Sequence, residues 1–371
     1  MYTSVRSTTL IACTVSALAL AASTVTAVGA AQAPPSGPKF AKHKIVAGGL
    51  DNPRQLSLTP NGRLLVAQAG HGSYKPAQCV GEGDETQCVG SSGKVTVIGK
   101  KGRWNPMSRL LSAAGPDGTF AVGSDGASKR RRGAFYTIMT YAPPDLMPSG
   151  VPSKQAGKLL ARRPGGTMHV VADIAGYEAA HDPDGEGVES NPYSVLALRK
   201  GVLVADAAGD TIYRVRRGKV RVFHEMKEYG KKVDAVPTSL ATDARTGNIL
   251  VGELHSEIPG KARVWSLNRR GKVVRKWRGF TTVTGVARSK NGTLYVSELF
   301  GGKCGLDQIP SCVPGRVVRV KPNGKRKAYK VPFPAGIVVK HGKPYVAAFS
   351  IAPAKGAMGN PRWNGQIWRL R

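Results

Sequence analysis

The segment RQLSLTPNGRLLVAQA (residues 54–69) carries the pattern from which the fold of this chain is predicted. Apolar and polar residues alternate on both sides of a Pro-Asn-Gly turn, as expected for two antiparallel strands joined as a hairpin. Related hairpins, in which the second strand ends in Val plus a small or acidic residue, occur at 194–207, 239–254, 286–299 and 336–349. A less regular copy, GAFYTIMTY, occupies 133–141. The sequence therefore contains six related units.

The spacing of these units indicates the type of repeat. Equivalent valines in the later units, Val204, Val251, Val296 and Val346, are 47, 45 and 50 residues apart. A second hairpin follows the first in five units, at 94–104, 158–171, 211–223, 263–277 and 316–329. Four strands repeated at this period are typical of propeller blades.

The sixth unit lacks its last strand, because the chain ends with GQIWRLR (365–371). The segment HKIVAGGL (43–50) can supply that strand, which would close the ring and remove an exposed sheet edge. We predict an all-β, six-bladed β-propeller of the TolB-like or NHL-like type over residues 43–371. Its ring is closed by the N-terminal strand, which completes the last blade.

The N-terminus has the layout of a secretory signal peptide, predicted at 1–33 and followed by a short linker at 34–42. Arg6 is the only charged residue before Lys39, and an apolar stretch leads to small-residue cleavage positions. Ser and Thr dilute that stretch, which disfavours a permanent membrane helix. We expect a secreted, extracellular monomer with no membrane span after signal cleavage.

Cysteine usage agrees with export. Cys13 lies in the signal segment, and the remaining four form two close pairs, Cys79 with Cys88 and Cys304 with Cys312. Neither spacing matches a zinc or redox motif. Four cysteines allow three connectivities, of which local pairing is the simplest, and disulfides persist in an oxidising compartment.

The 371-residue chain is strongly basic, with 55 Lys and Arg against 23 Asp and Glu and a net charge of +32. Such a field attracts anionic polymers without specificity. The basic runs lie on hairpin turns without interleaved aromatic residues, which argues against a specific nucleic-acid site. The favoured interpretation is a cationic surface that is simply solvated. If that surface has a partner, anionic envelope polymers are the expected nonspecific ones.

Polar residues occur where links between blades enter the inner strands. The candidate ligand-binding residues at the channel mouth are Asn52, Arg54, Asn191, Tyr193, Thr238 and Ser239. Such groups could hold a small or polymeric anionic or polyhydroxylated ligand. The alternative is that they tie the turns between blades together.

Oxygen-bearing residues at the same mouth also suggest a Ca²⁺ site, for which the candidate ligands are Asp51, Asn52, Asn191 and Asp234. The acids that end second strands, Asp206, Glu253 and Glu298, are interpreted as backbone caps. HDPDGEG (181–187) lacks the spacing of a calcium loop, so a polar turn is favoured there. His71 and His255 could reach the channel face as general bases. No nucleophile-elbow or phosphate-loop motif occurs.

Five segments together resemble the ScyD/ScyE family of exported propellers, which is related to NHL-repeat and streptogramin-lyase-like proteins. They are GLDNPRQLSLTPNG (49–62), CVGEGDETQCVGSSGKVTVI (79–98), ADIAGYEAAHDPDGEGVESNPYSVLAL (172–198), DAVPTSLATD (234–243) and VGELHSE (251–257). The resemblance implies a secreted six-bladed propeller and, since that family has no established reaction, no particular activity.

Two functions are compatible with these features. The first is a secreted binding or scaffold propeller with its ligand site at the channel mouth. The second is a Ca²⁺-dependent lactonase-like hydrolase, or a streptogramin-lyase-like enzyme, acting at the same mouth. Whether the chain is an enzyme stays open at this point, with the non-catalytic function favoured.

Overall fold

The computed structural model describes residues 38–143, 147–226 and 233–371, and it forms the predicted six-bladed β-propeller. Each blade is an antiparallel sheet of four main strands, counted outward from the channel. Blade one contains Pro53–Leu58, Leu64–Gln68, Gln87–Gly99 and Gly102–Ala114. Blade two contains Ser124–Lys129, Phe135–Met139, Lys158–Arg162 and Met168–Asp173. Blade three contains Pro192–Leu198, Gly201–Asp206, Thr211–Arg216 and Lys219–Glu225.

Blades four to six follow the same plan. Blade four contains Pro237–Thr242, Ile249–Glu253, Ala262–Leu267 and Val273–Phe280. Blade five contains Val283–Arg288, Leu294–Glu298, Arg316–Val320 and Arg326–Lys330. Blade six contains Ile337–Lys340, Lys343–Ala348, Gly365–Leu370 and His43–Leu50. A short strand, Cys79–Val80, also pairs with the start of the third strand of blade one. One α-helix, Ile174–His181, lies between blades two and three, and short 3₁₀ turns occupy Pro76–Gln78, Gly83–Glu85, Ser153–Gln155 and Leu306–Gln308.

The last blade closes the ring as predicted. His43–Leu50 pairs antiparallel with Gly365–Leu370, and His43 lies opposite Leu370 in the register. His43 also stacks on Trp368 with 3.5 Å between ring centroids. The two ends of the described chain thus share one sheet, in which His43–Leu50 covers the outward edge of Gly365–Leu370.

Burial follows the position of each strand in its blade. The second strands of blades one to five are buried at every residue, because they lie between two neighbouring blades. Outer strands alternate or are largely exposed, as in Val273–Phe280. Apolar side chains from adjacent blades form the core, for example Ile138 and Leu159 of blade two against Val204 of blade three. The near-continuous Val, Ile and Leu runs of the second strands follow from this two-sided burial.

Both predicted local disulfides are present, Cys79–Cys88 and Cys304–Cys312. Each bridges a connection between the second and third strands of its blade. None of the helices in the described part of the chain has the length and apolar character needed to span a bilayer. The predicted signal peptide at 1–33 lies outside the described residues.

The meander of each blade gives the propeller two distinct faces. The turn face carries the turns between first and second and between third and fourth strands, at 59–63, 100–101, 130–134, 163–167, 199–200, 217–218, 243–248, 268–272, 289–293, 321–325 and 341–342. The link face carries the links between blades and the longer connections between second and third strands. The disulfides, the α-helix and the channel mouth considered below all belong to the link face.

Candidate functional site

Side-chain hydrogen bonds connect the inner strands around the channel. The Ser57 hydroxyl donates to the Ala127 carbonyl, and the hydroxyls of Ser194 and Ser239 accept from the backbone N–H groups of the next blade. Gln55 reaches across the ring, donating to the Val195 carbonyl at 3.0 Å and accepting from the Val195 N–H at 3.1 Å. These polar side chains therefore hold the inner strands of different blades together.

Glycines allow the inner strands to approach this closely. A Cβ atom at Gly336 would lie 2.0 Å from the backbone nitrogen of Leu56, where blade six meets blade one. A Cβ at Gly126 would lie 2.8 Å from the backbone nitrogen of Val195 in blade three. No real side chain fits at such distances, so the narrow channel requires glycine at both positions.

Three of the predicted ligand-binding residues are fully engaged by the backbone. Asn52 is completely buried and donates to the Gly70 and Gly118 carbonyls, each at 2.8 Å, while its side-chain oxygen accepts from Ala121. The Thr238 hydroxyl donates to the Val283 carbonyl, and Ser239 bonds to blade five as described above. The structure therefore places these groups in the contacts between blades.

Arg54 forms a buried pair with Asp125, the second residue of the inner strand of blade two. The Arg54 guanidinium donates to the Ala121 carbonyl, and its Nε lies 3.7 Å from the Asp125 Oδ1. Asp125 is wholly inaccessible, and Arg54 is 8% exposed. Burial raises the pKa of Asp125 to about 6, although the nearby Arg54 acts in the opposite direction. The pair locks blade one to blade two.

Asn191 and Tyr193 are half-buried at the start of blade three. The Asn191 side-chain oxygen accepts from the Thr140 hydroxyl at 3.2 Å, and its backbone N–H donates to Asp206 at 2.6 Å. These two residues retain more solvent contact than Asn52 or Ser239. They are the part of the predicted set that a ligand at the mouth could still reach.

The residue that ends the second strand acts as a cap on the link before it. Asp206 accepts from the Asn191 N–H, and Glu298 accepts from the Thr281 N–H. Gln68 fills the same position in blade one and accepts from the Asp51 N–H at 2.8 Å. An amide replaces a carboxylate there because accepting that N–H requires only an oxygen.

The predicted metal ligands Asp51 and Asp234 lie in different environments. Asp51 is buried beside blade one, where it accepts from Lys94 at 2.7 Å and from the Ala354 N–H at 2.9 Å. Burial alone would raise the pKa of Asp51, but hydrogen bonds from His71, Lys94 and Ala354 hold it well below its usual range. Asp234 is exposed beside blade three, where its carboxylate approaches those of two other acids.

A group of accessible side chains surrounds Asp51 on the link face. The His71 Nδ1 lies 3.2 Å from the Asp51 Oδ1, and the His71 ring stacks on Tyr74 with 4.7 Å between centroids. The Lys355 ammonium lies 4.0 Å from the centroid of the Tyr74 ring. Together with Lys94, these residues form a cationic and aromatic cluster, which we call the blade-one cluster. The sequence indicated only His71, because Lys355 comes from the far end of the chain.

The two faces differ in charge because the described acids are distributed unequally between them. Every turn of the turn face contains or directly adjoins Lys or Arg. Of the Asp and Glu residues that the structure describes, only Asp243 lies in those turns, and it pairs with Arg288 at 2.9 Å. The other described acids lie on the link face or at strand ends beside it. The sequence placed basic residues on hairpin turns, but their concentration on one face emerges only from the blade topology.

The fold is shared with solved structures of low sequence identity. A streptogramin B lyase structure matches with a TM-score of 0.50 and 11% identity over 90% of this chain and 97% of that one. A candidate oxidoreductase (glucose dehydrogenase) from Thermus thermophilus matches with a TM-score of 0.52 and 15% identity over 89% and 100% of the two chains. These similarities establish a common propeller architecture. No protein-family model and no curated protein sequence matches the chain.

Proposed function

We propose that this chain is an exported binding and scaffold propeller of the ScyD/ScyE type, which attaches to an anionic envelope polymer through its turn face. The observation that carries this proposal is the charge of the turn face, because its turns hold 17 Lys and Arg against one acid and so create an oriented attractive field. The link face then points away from the polymer. A small anionic ligand can bind there through the blade-one cluster. Asn191 and Tyr193, half-buried on the same face, offer further polar groups.

The use of polar groups in the channel favours binding over catalysis. The side chains of Asn52, Thr238 and Ser239 form hydrogen bonds with the backbone, and Arg54 is paired with Asp125. A lactonase-like centre at the same mouth would need several of these oxygens for a cation or a substrate. The groups that remain accessible suit recognition of an anion, since lysine and histidine donate to anionic oxygens.

Polymer attachment predicts a face-specific loss of affinity. A turn-face triple variant is Arg131→Glu, Lys200→Glu and Arg270→Glu, all exposed and in three different blades. We expect its affinity for poly(glycerol phosphate) at 0.1 M salt to fall about tenfold or more, with a smaller slope of log K against log salt. Isothermal titration calorimetry across a salt series measures both.

The matched control has the same change in net charge on the other face. It carries Lys75→Glu, Lys154→Glu and Lys303→Glu, which are exposed on the link face. We expect less than about a threefold loss of affinity from these changes, because their charges lie away from the bound polymer. Equal losses in the two triple variants, or binding by the wild type that is insensitive to salt, would refute attachment through the turn face.

The alternative enzymatic function rests on one pair, His71 with Asp51. A buried carboxylate that orients an accessible imidazole is the arrangement of a general base. If the chain is a lactonase-like hydrolase, a panel of lactones should show turnover that His71→Ala abolishes and the turn-face triple variant retains. If no lactone is turned over, with or without added Ca²⁺, the hydrolase function is refuted and the binding function is the one that stands.

A further inference from the structure

Three carboxylates converge at the link between blades two and three. One carboxylate oxygen each from Glu178, Asp182 and Asp184 lies within 4.8 Å of the others. Glu178 and Asp182 are four residues apart, so both project from the same side of the end of the helix Ile174–His181. Asp182 terminates that helix in the left-handed conformation, with φ of 38°. We call these three residues the helix-end cluster.

Glu178 has a buried oxygen without a partner. Its side chain is completely inaccessible, and its Oε2 accepts from the hydroxyl of Tyr213 in blade three. Its Oε1 is buried and has no hydrogen-bond partner in the described structure. The carboxylate that carries this unpaired oxygen is the one that approaches Asp182 and Asp184. A buried ionised oxygen without a partner is costly, and a bound cation would remove that cost.

No basic side chain in the described part of the chain neutralises the helix-end cluster. Other acids do form ion pairs with Lys or Arg, among them Asp51, Asp243 and Glu298. Glu178 and Asp182 also sit at the C-terminal end of a helix, where backbone carbonyls already make the potential negative. Among the residues that the structure describes, the cluster is therefore acidic and has no basic partner.

We propose that Glu178, Asp182 and Asp184 bind a divalent cation, and that Ca²⁺ is the cation they fit best. Calcium takes carboxylate oxygens at 2.3–2.6 Å, so ligands on opposite sides of the ion are up to about 5 Å apart. The three oxygens lie within 4.8 Å of one another, which is inside that span. Calcium tolerates irregular carboxylate geometry, whereas Mg²⁺ requires near-ideal octahedral geometry and usually keeps several waters. The site is distinct from the channel-mouth residues and from the turn face.

A neighbouring trio, Glu186, Asp210 and Asp234, does not share the decisive feature. Both oxygens of Asp210 accept backbone N–H groups, from Ala235 and Val236. Its carboxylate therefore already has partners, and it ties the link into blade four. Of the two trios, the helix-end cluster is the one that combines convergence with a buried unpaired oxygen.

The bound cation would fasten the link that leads to Asn191 and Tyr193. Glu178 is joined to blade three through Tyr213, and Asp182 and Asp184 belong to the turn after the helix. A cation shared by all three would hold helix and turn against blade three. Calcium would thereby stabilise the link face without taking part in polymer attachment.

Terbium luminescence tests the site directly, because the Tyr213 hydroxyl contacts Glu178 and can sensitise a bound Tb³⁺. On excitation of tyrosine, the EDTA-treated and dialysed protein should show Tb³⁺ emission that Ca²⁺ displaces. Its melting temperature should also rise when Ca²⁺ is added. No emission and no rise in melting temperature would overturn the proposal.

Four variants separate this site from others. Glu178→Gln and Asp184→Asn should lose the Ca²⁺-induced rise and lower Tb³⁺ affinity at least tenfold, while metal-free Glu178→Gln should melt no lower than the wild type. Asp84→Asn, an exposed acid elsewhere on the link face, and Asp51→Asn at the channel mouth should both retain Ca²⁺ binding. Retained binding in Glu178→Gln, or its loss in Asp51→Asn, would overturn the assignment.

Discussion

Replacing Arg54 with alanine is expected to lower the free energy of unfolding by about 3–5 kcal/mol, because it leaves the buried Asp125 carboxylate without its counter-charge. The contact to the Ala121 carbonyl is lost as well. Urea denaturation at pH 8 measures the effect. The loss should be smaller at pH 5.5, where Asp125 can take up a proton instead of remaining ionised in the interior.

Two further variants show whether the charge pair is the cause. Arg54→Ala combined with Asp125→Asn should be more stable at pH 8 than Arg54→Ala alone, which a double-mutant cycle expresses as coupling between the two sites. Arg131→Ala, an exposed arginine in the same blade as Asp125, should change stability by less than about 0.5 kcal/mol. Similar losses in Arg54→Ala and Arg131→Ala would contradict a structural role for the pair.

Metal-free protein is expected to lose stability as the pH rises from about 4 to 7. Burial is the largest cause that raises the pKa of Asp125 and Asp206 to about 6 and that of Glu178 and Asp210 to about 7. Their unfolded values are near 4, so the folded state holds protons that the unfolded chain has released in this window. Stability therefore falls by roughly 1.4 kcal/mol for each unit of raised pKa as these groups ionise.

The profile should have a maximum near pH 4, because other acids act in the opposite direction. Hydrogen bonds hold the pKa of Asp51 and Asp243 below the usual range, and the stability they contribute is lost as the pH falls below about 4. Chemical denaturation in EDTA from pH 3 to 8 measures the curve. Glu178→Gln should flatten its alkaline side, and Asp84→Asn should not. A maximum at pH 8 would contradict the assigned burial effects.

The architecture could be predicted from the sequence because its signals are local. Alternation about a Gly turn specifies each hairpin, and the spacing of Val204, Val251, Val296 and Val346 specifies their repetition. The truncated last unit and the spare strand at 43–50 specified how the ring closes. The short separation within each cysteine pair likewise made local disulfides the simplest pairing.

The candidate site could be predicted only in outline. Sequence placed Asn52, Arg54 and Thr238 at links near the channel, but whether a polar group faces a ligand or a carbonyl depends on atoms from other blades. Asn52 bonds to Gly118, and Arg54 lies beside Asp125, both more than sixty residues away in the chain. Residue type and spacing carry no information about such partners.

The sequence by itself determined the repeat, the number of blades, the closing strand and the overall positive charge. Only the tertiary structure decided where that charge lies, which oxygens remain unpaired and which side chains share a site. The blade-one cluster joins His71 to Lys355, and the helix-end cluster joins Glu178 to Tyr213. The physical reason is that strand formation depends on neighbours along the chain, whereas hydrogen bonding and electrostatics depend on distances in space.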